Sequence, residues 1–155
     1  MTAQAQCDEL LQRFGSEIAA AAEAMVVGEA PTDAELPEVS IAPLRRLHEQ
    51  AERYLRVADA ANTQFLLFFL SSFLQDIFYN LSGDVPYEAE SRRYQQKFFV
   101  DLAKNLADFS SAIADRDSAR SLDVCEQMIS SYLQTVTRIN DLLEQERTAD
   151  AIEHS

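Results

Sequence analysis

Glycine and proline are scarce, three and four residues in 155. A strand-rich fold draws on those residues for its many turns, so the shortage excludes one and points to an all-α chain. Cysteine is almost as rare: Cys7 and Cys125 stand alone, with neither the C-x-x-C spacing of a redox site nor the paired spacing of a zinc site. Both fall at apolar positions of helical repeats, where a free thiol behaves as a small hydrophobe, and the order of helices expected below puts them at opposite ends of the fold.

The two histidines, His48 and His154, cannot supply the Glu-x-x-His pairs from two helices that a di-iron bundle requires. His48 lies in RRLHEQAERY, among bulky and charged neighbours that leave no opening for a phosphotransfer partner, and reads as a flank histidine. There is no G-x-S-x-G elbow and no glycine-rich phosphate loop. No acid, base or nucleophile constellation emerges, so neither an enzyme nor a bound metal or cofactor is expected.

Positive charge is short as well. Thirteen basic residues against 26 acidic ones leave a net charge of -13, which argues against a nucleic-acid surface, where Lys and Arg must neutralise phosphates, and against an anionic membrane. The basic cluster Arg45, Arg46, Arg53 and Arg56 is interleaved with Glu49 and Glu52, a pattern of a solvated, charge-paired helix face. The apolar run from Phe65 continues past two serines to Leu74 and then meets Gln75 and Asp76, short of the roughly 20 residues of a membrane span. The opening MTAQAQCDELLQRF lacks a basic segment followed by an apolar core, so no secretory signal is read and a cytoplasmic protein is expected.

What the chain does have is helical periodicity. Cys7, Leu11, Phe14, Ile18, Ala21 and Met25 alternate steps of four and three, predicting a first helix over about 3–27, with an alanine-rich stretch that lets a neighbour approach closely. Residues 28–40, with two prolines and four acids, read as a linker after a Gly28 cap. With Ser40 as N-cap and Pro43 in the first turn, a second helix is predicted over about 41–82, since no Gly or Pro interrupts it before Gly83. It would be near 60 Å long at 1.5 Å per residue. Asn62 and Thr63 offer a capping site for a break, but continuity is the expectation, with the end around Ile41 to Arg53 projecting beyond the other helices.

Gly83, Asp84 and Pro86 make a stop and restart. A third helix over about 86–114 carries Phe98, Leu102, Leu106, Phe109 and Ile113, flanked by Phe99 and Ala103. After a tight turn capped by Asp117, a fourth helix over about 117–146 carries Leu122, Cys125, Ile129, Tyr132, Val136, Ile139 and Leu143. Residues 147–155 read as a frayed tail. The expected fold is a single all-α domain over 1–155, a four-helix up-down-up-down antiparallel bundle with one unusually long helix.

That long helix carries two contact faces. Leu66, Leu67, Phe69, Leu70, Phe73, Leu74, Ile77, Phe78 and Leu81 cover about 180°, wider than the usual stripe of about 100°, and constitute its core contribution. A second seam advances by threes and fours through Leu44, Leu47, Ala51, Tyr54, Ala58, Ala61, Phe65, Phe68, Ser72, Gln75 and Tyr79, with Asp76 a hydrogen-bonded residue at its edge and its large apolar side chains at Leu44, Leu47, Tyr54, Phe65, Phe68 and Tyr79. A seam left over from the core predicts a protein-binding bundle, an adaptor, chaperone or regulatory subunit, that engages a protein partner or itself as a homodimer through those six residues. The alternative is a bundle that holds a small apolar ligand in a cavity lined by Phe69, Phe73, Phe98, Phe99 and Phe109.

Overall fold

A computed structural model describes residues 2–27, 38–81 and 89–153. The described chain is almost entirely helical: α1 (Ala3–Met25), α2 (Ala42–Val57), α3 (Ala61–Leu81), α4 (Ala89–Ala114) and α5 (Ser118–Glu153), with two-residue strands β1 (Val26–Val27) and β2 (Glu38–Val39). The strands pair antiparallel, Val26 opposite Val39. The Gly28, Gly83, Asp84 and Pro86 signals lie outside the described residues.

The all-α class stands, but the described residues form five helices where four were expected. The long second helix is two helices, α2 and α3, separated at Ala58–Ala60. Ala58 is extended, with ψ at 124°, and its carbonyl accepts a hydrogen bond from Gln64 Nε2. The two helices fold back on each other, bringing the ring of His48 near the start of α2 within 6.1 Å of Phe78 near the end of α3. Neither Gly nor Pro makes this reversal, and burial accounts for it. Leu44 and Leu47 of α2 and Leu67, Leu70, Leu74 and Ile77 of α3 are all fully or almost fully buried, each gaining about 1.5–3 kcal/mol. Breaking the helix forfeits a few backbone hydrogen bonds to water at about 0.5–1.5 kcal/mol net apiece. Burial wins.

Contacts along each pair fix the directions. Arg116, just past the end of α4, pairs with Asp8 near the start of α1 at 3.1 Å, Tyr54 late in α2 bonds to Glu17 in α1, and Phe98 of α4 meets Tyr132 of α5. The helices therefore run up, down, up, down, up. The neighbours are α1 with α2 and α4, α4 with α5, α2 with α3 and, more loosely, α3 with α5. The added helix reverses the last one relative to the sequence expectation. Cys7 and Cys125, both buried free thiols, consequently lie toward the same end of the bundle, since Gln4 and Asp8 share a cleft with Ser118 and Leu122.

The end expected to project is instead core, with Leu44, Leu47 and Ala51 buried. Helix α2 begins at an Ile41 cap position without a side-chain hydrogen bond, so Ser40 does not serve as its N-cap. Among the described residues the longest helix is α5, 36 residues against 26 in α4, about 54 Å against 39 Å. Residues read as a frayed tail continue it to Glu153. Asp117 does cap it, accepting from the Arg120 amide at 3.1 Å. The preceding turn is a Schellman arrangement: Asp117 N donates to Ala112 O and Arg116 N to Ile113 O, with Arg116 in the left-handed region at φ 57° where glycine is usual.

The core is built from Phe14, Ile18 and Met25 of α1, the leucines above, the whole predicted stripe of α4, and Val124 and Met128 of α5. Helix α1 crosses α4 at Gly15, whose carbonyl accepts a hydrogen bond from Ser110 Oγ. A Cβ at Gly15 would sit 3.6 Å from the Ser110 carbonyl oxygen and 3.8 Å from Ile113, which is ordinary contact. Glycine inside a helix costs about 1 kcal/mol relative to alanine. Gly15→Ala is therefore expected to raise stability by about 0.5–1 kcal/mol in urea unfolding, while Gly15→Leu, which must displace Ser110 and Ile113, lowers it.

Candidate protein-binding surface

The reversal at Ala58–Ala60 splits the predicted seam. Leu44 and Leu47 are buried inside the monomer. Tyr54 is half-buried between α1 and α2, its ring edge-on to Phe14 at 5.8 Å and its hydroxyl donating to Glu17 Oε1 at 2.9 Å. These three belong to the α1–α2 contact. Phe65, Phe68 and Tyr79 of α3 are left in the open, 59%, 64% and 88% exposed. Aromatic side chains of about 150–250 Å² each leave roughly 400 Å² in water in total at those exposures, with Ser72 and Gln75 lying between Phe68 and Tyr79 along the same face.

A second exposed stripe stands on α5. Leu122, Ile129 and Leu133 are 50%, 37% and 56% exposed. Sequence periodicity set Leu122 and Ile129 in one stripe with Cys125, Tyr132 and Ile139; those three are buried, but Ser121, Val124 and Met128 turn inward in place of Leu122 and Ile129. Ser121 tolerates this because its hydroxyl donates back to the Asp117 carbonyl at 2.9 Å, so no polar group is left unpaired.

The two helices run side by side. Phe65 and Leu66 of α3 line one cleft with Leu122 and Ser121 of α5, a space of about 460 Å³ floored by Leu11 and Ile113. Farther along, Tyr132 Oη donates to the Asp76 carbonyl at 3.3 Å and accepts from Asn80 Nδ2 at 2.6 Å, while Phe73 meets the Tyr132 ring edge-on at 5.7 Å. Asp76 therefore holds the edge of the face through its backbone, and its side chain is exposed. Helices α3 and α5 make far fewer backbone approaches than the other neighbouring pairs and are joined by these long side chains.

The phenylalanines expected to line a ligand cavity pack on one another and on Tyr132. Phe69 stacks on Phe73 at 5.8 Å, Phe98 lies edge-on to Phe99 at 5.4 Å, and Phe73, Phe98, Phe99 and Phe109 are buried. Phe69 alone of the five is half-buried at the surface. His48 is half-buried, its Nε2 3.7 Å from Glu52 Oε1, and the four arginines of α2 are exposed. Among the described residues no three His, Cys, Asp or Glu side chains gather as a metal site would require, and no helix is long and apolar enough to cross a membrane.

Compared with known proteins, the chain matches no family model, no curated protein and no solved structure.

Burial pushes the Cys125 thiol up to about 11. Burial likewise raises the Tyr132 phenol, against the Asn80 hydrogen bond and with the help of Asp76, and raises Tyr54 together with Glu17. All three groups hold their protons more tightly folded than unfolded. Stability is therefore intact below the ordinary thiol value of 9.0 and falls as pH rises from there toward about 11, because the unfolded chain loses its protons first. Chemical unfolding at pH 7, 9 and 10.5 is expected to show that decline, and Cys125→Ala is expected to make it shallower, leaving the part that Tyr132 and Tyr54 contribute.

Proposed function

We propose that the protein is a non-enzymatic, protein-binding helical bundle, an adaptor, chaperone or regulatory subunit, that engages its partner through the outer face of α3. The observation that carries this reading is the set of three large aromatics, Phe65, Phe68 and Tyr79, standing more than half exposed on one helix. Buried, each would contribute about 1.5–3 kcal/mol. A chain that leaves all three in water, while burying Phe14, Phe73, Phe98, Phe99 and Phe109, forgoes that gain, and a partner recovers it. Aromatic residues are also the side chains that dominate binding energy at protein interfaces.

The net charge of -13 keeps the chain away from nucleic acid and anionic lipid, which leaves proteins as the natural class of partner, either a different chain or a second copy of this one. Two buried free thiols suit a reducing, cytoplasmic setting. The ligand-binding alternative has less support, because its phenylalanines fill space against one another.

Phe68→Glu tests the reading. With Phe68 in the open, the variant is expected to remain soluble and to unfold within about 0.5 kcal/mol of wild type, as surface substitutions do. In pull-downs from the native cell it loses one specific protein that wild type retains, or in sedimentation it loses a dimer that wild type forms. An insoluble variant makes Phe68 a core residue, and an unchanged binding profile removes the α3 face from the function. Either result defeats the proposal.

A further inference from the structure

Resting on that reading, the chemistry of the face narrows its occupant. Phe65 and Leu122 line one cleft between α3 and α5, and the Asp76 to Tyr132 hydrogen bond holds the same two helices together farther along, so the cleft opens a shallow groove along that seam, with Ile129 and Leu133 also exposed on α5. From Leu122 to Leu133 on α5, and from Phe65 to Asp76 on α3, is about 16 Å along a helix axis. A groove of that length takes about three turns of a helix.

Its charge is mainly negative: Asp8 and Asp117 line the cleft together with Arg116. The only charged residue in α3 is Asp76, and between Arg120 and Arg138 the only charged residues in α5 are Asp123 and Glu126. All three carboxylates are exposed. The nearest cations at the lower end are already engaged, Arg116 with Asp8 and Arg120 with Asp115. An apolar floor between carboxylates is complementary to a helix with apolar residues at i, i+3, i+4 and i+7 and Lys or Arg along its flanks.

A second copy of this chain fits poorly. Its two helices with more cations than carboxylates, α2 and α4, have already turned their apolar stripes into its own core, Leu44, Leu47 and Ala51 of α2 and Phe98, Leu102, Leu106 and Phe109 of α4. A symmetric pairing of grooves would set carboxylate against carboxylate on two bodies each carrying -13. We infer that the groove between α3 and α5 is a docking site for a basic amphipathic helix of a partner protein, which completes the bundle as a sixth helix.

The test uses the full chain and three synthetic 18-residue peptides of about five turns: one with Leu at i, i+3, i+4 and i+7 and Lys elsewhere, one with the same residues scrambled so that no apolar face forms, and one with Glu in place of Lys. Titration calorimetry is expected to show the first peptide binding at one site, at least tenfold more tightly than the scrambled one, with no binding of the Glu peptide. Phe65→Ser, Leu133→Ser and Glu126→Lys each weaken it at least fivefold. Glu126→Lys also reduces the dependence on salt, whereas Glu23→Lys on the exposed side of α1 leaves binding within twofold. Circular dichroism melts of each variant confirm that the fold is kept.

Equal binding of the scrambled peptide, or indifference to the groove variants, would reduce the effect to general attraction toward an acidic chain and overturn the proposal. Sedimentation of the free chain as a dimer that Leu133→Ser dissociates would place a second copy in the groove. That outcome also overturns the basic-helix proposal, but it leaves the protein-binding reading standing. That reading fails separately, on Phe68→Glu.

Discussion

The reversal at Ala58–Ala60 is the constraint on which the other packing depends. It consists of one extended residue and one side-chain hydrogen bond, from Gln64 to the Ala58 carbonyl. Because the chain doubles back there, the apolar stripe of α2 faces α1 and the broad apolar face of α3 turns to the same core. The narrower aromatic side of α3 is then the side with nothing over it. It also adds one helix to the count, so α5 runs parallel to α1 and α3, and the two chain segments that carry exposed apolar stripes, α3 and α5, become neighbours.

Neighbouring does not make them tightly packed. Around the ring, α1 meets α4 at Gly15 and Ser110, where a missing side chain lets the backbones close. Helix α4 and α5 share the rings of Phe98 and Tyr132. Between α3 and α5 the bridge is made by Phe73, Asn80 and Tyr132, and the backbones stay apart. Long side chains joining separated helices leave a channel above them. An opening of this kind, walled by Phe65 on one side and Leu122 on the other, has the shape that another helix fills.

Much of this fold is legible in the residues alone. Cys7, Phe14, Ile18, Ala21 and Met25 in α1 and Phe98, Leu102, Leu106, Phe109 and Ile113 in α4 are all buried, because their steps of three and four admit one helical face. The Asp117 cap follows from its place before an apolar repeat. The break between α2 and α3 leaves only the weak mark of Asn62 and Thr63 as capping residues: alanine is the strongest helix former, and Ala58, Asp59 and Ala60 end a helix because tertiary burial rewards the reversal. The register of α5 is hidden for a different reason. Apolar residues occur at 122, 125 and 129 and equally at 124, 125 and 128, so two faces compete, and Ser121 is accepted inside only because its hydroxyl bonds within its own helix. The exposed aromatics Phe65, Phe68 and Tyr79 were visible as a surplus, while Leu44, Leu47 and Tyr54 were joined to them by a periodicity that the reversal interrupts.

The most direct test of the reversal is a distance across it. Spin labels at Glu49 and Tyr79, both exposed, in a Cys7→Ala, Cys125→Ala background, report whether α2 and α3 lie side by side. The His48 and Phe78 rings are 6.1 Å apart, so pulsed electron resonance is expected to give a narrow distribution centred below about 25 Å. One continuous helix would hold the same labels about 45 Å apart at 1.5 Å per residue. A distribution centred there would contradict the hairpin, return Leu44 and Leu47 to a continuous outer seam, and remove the groove between α3 and α5.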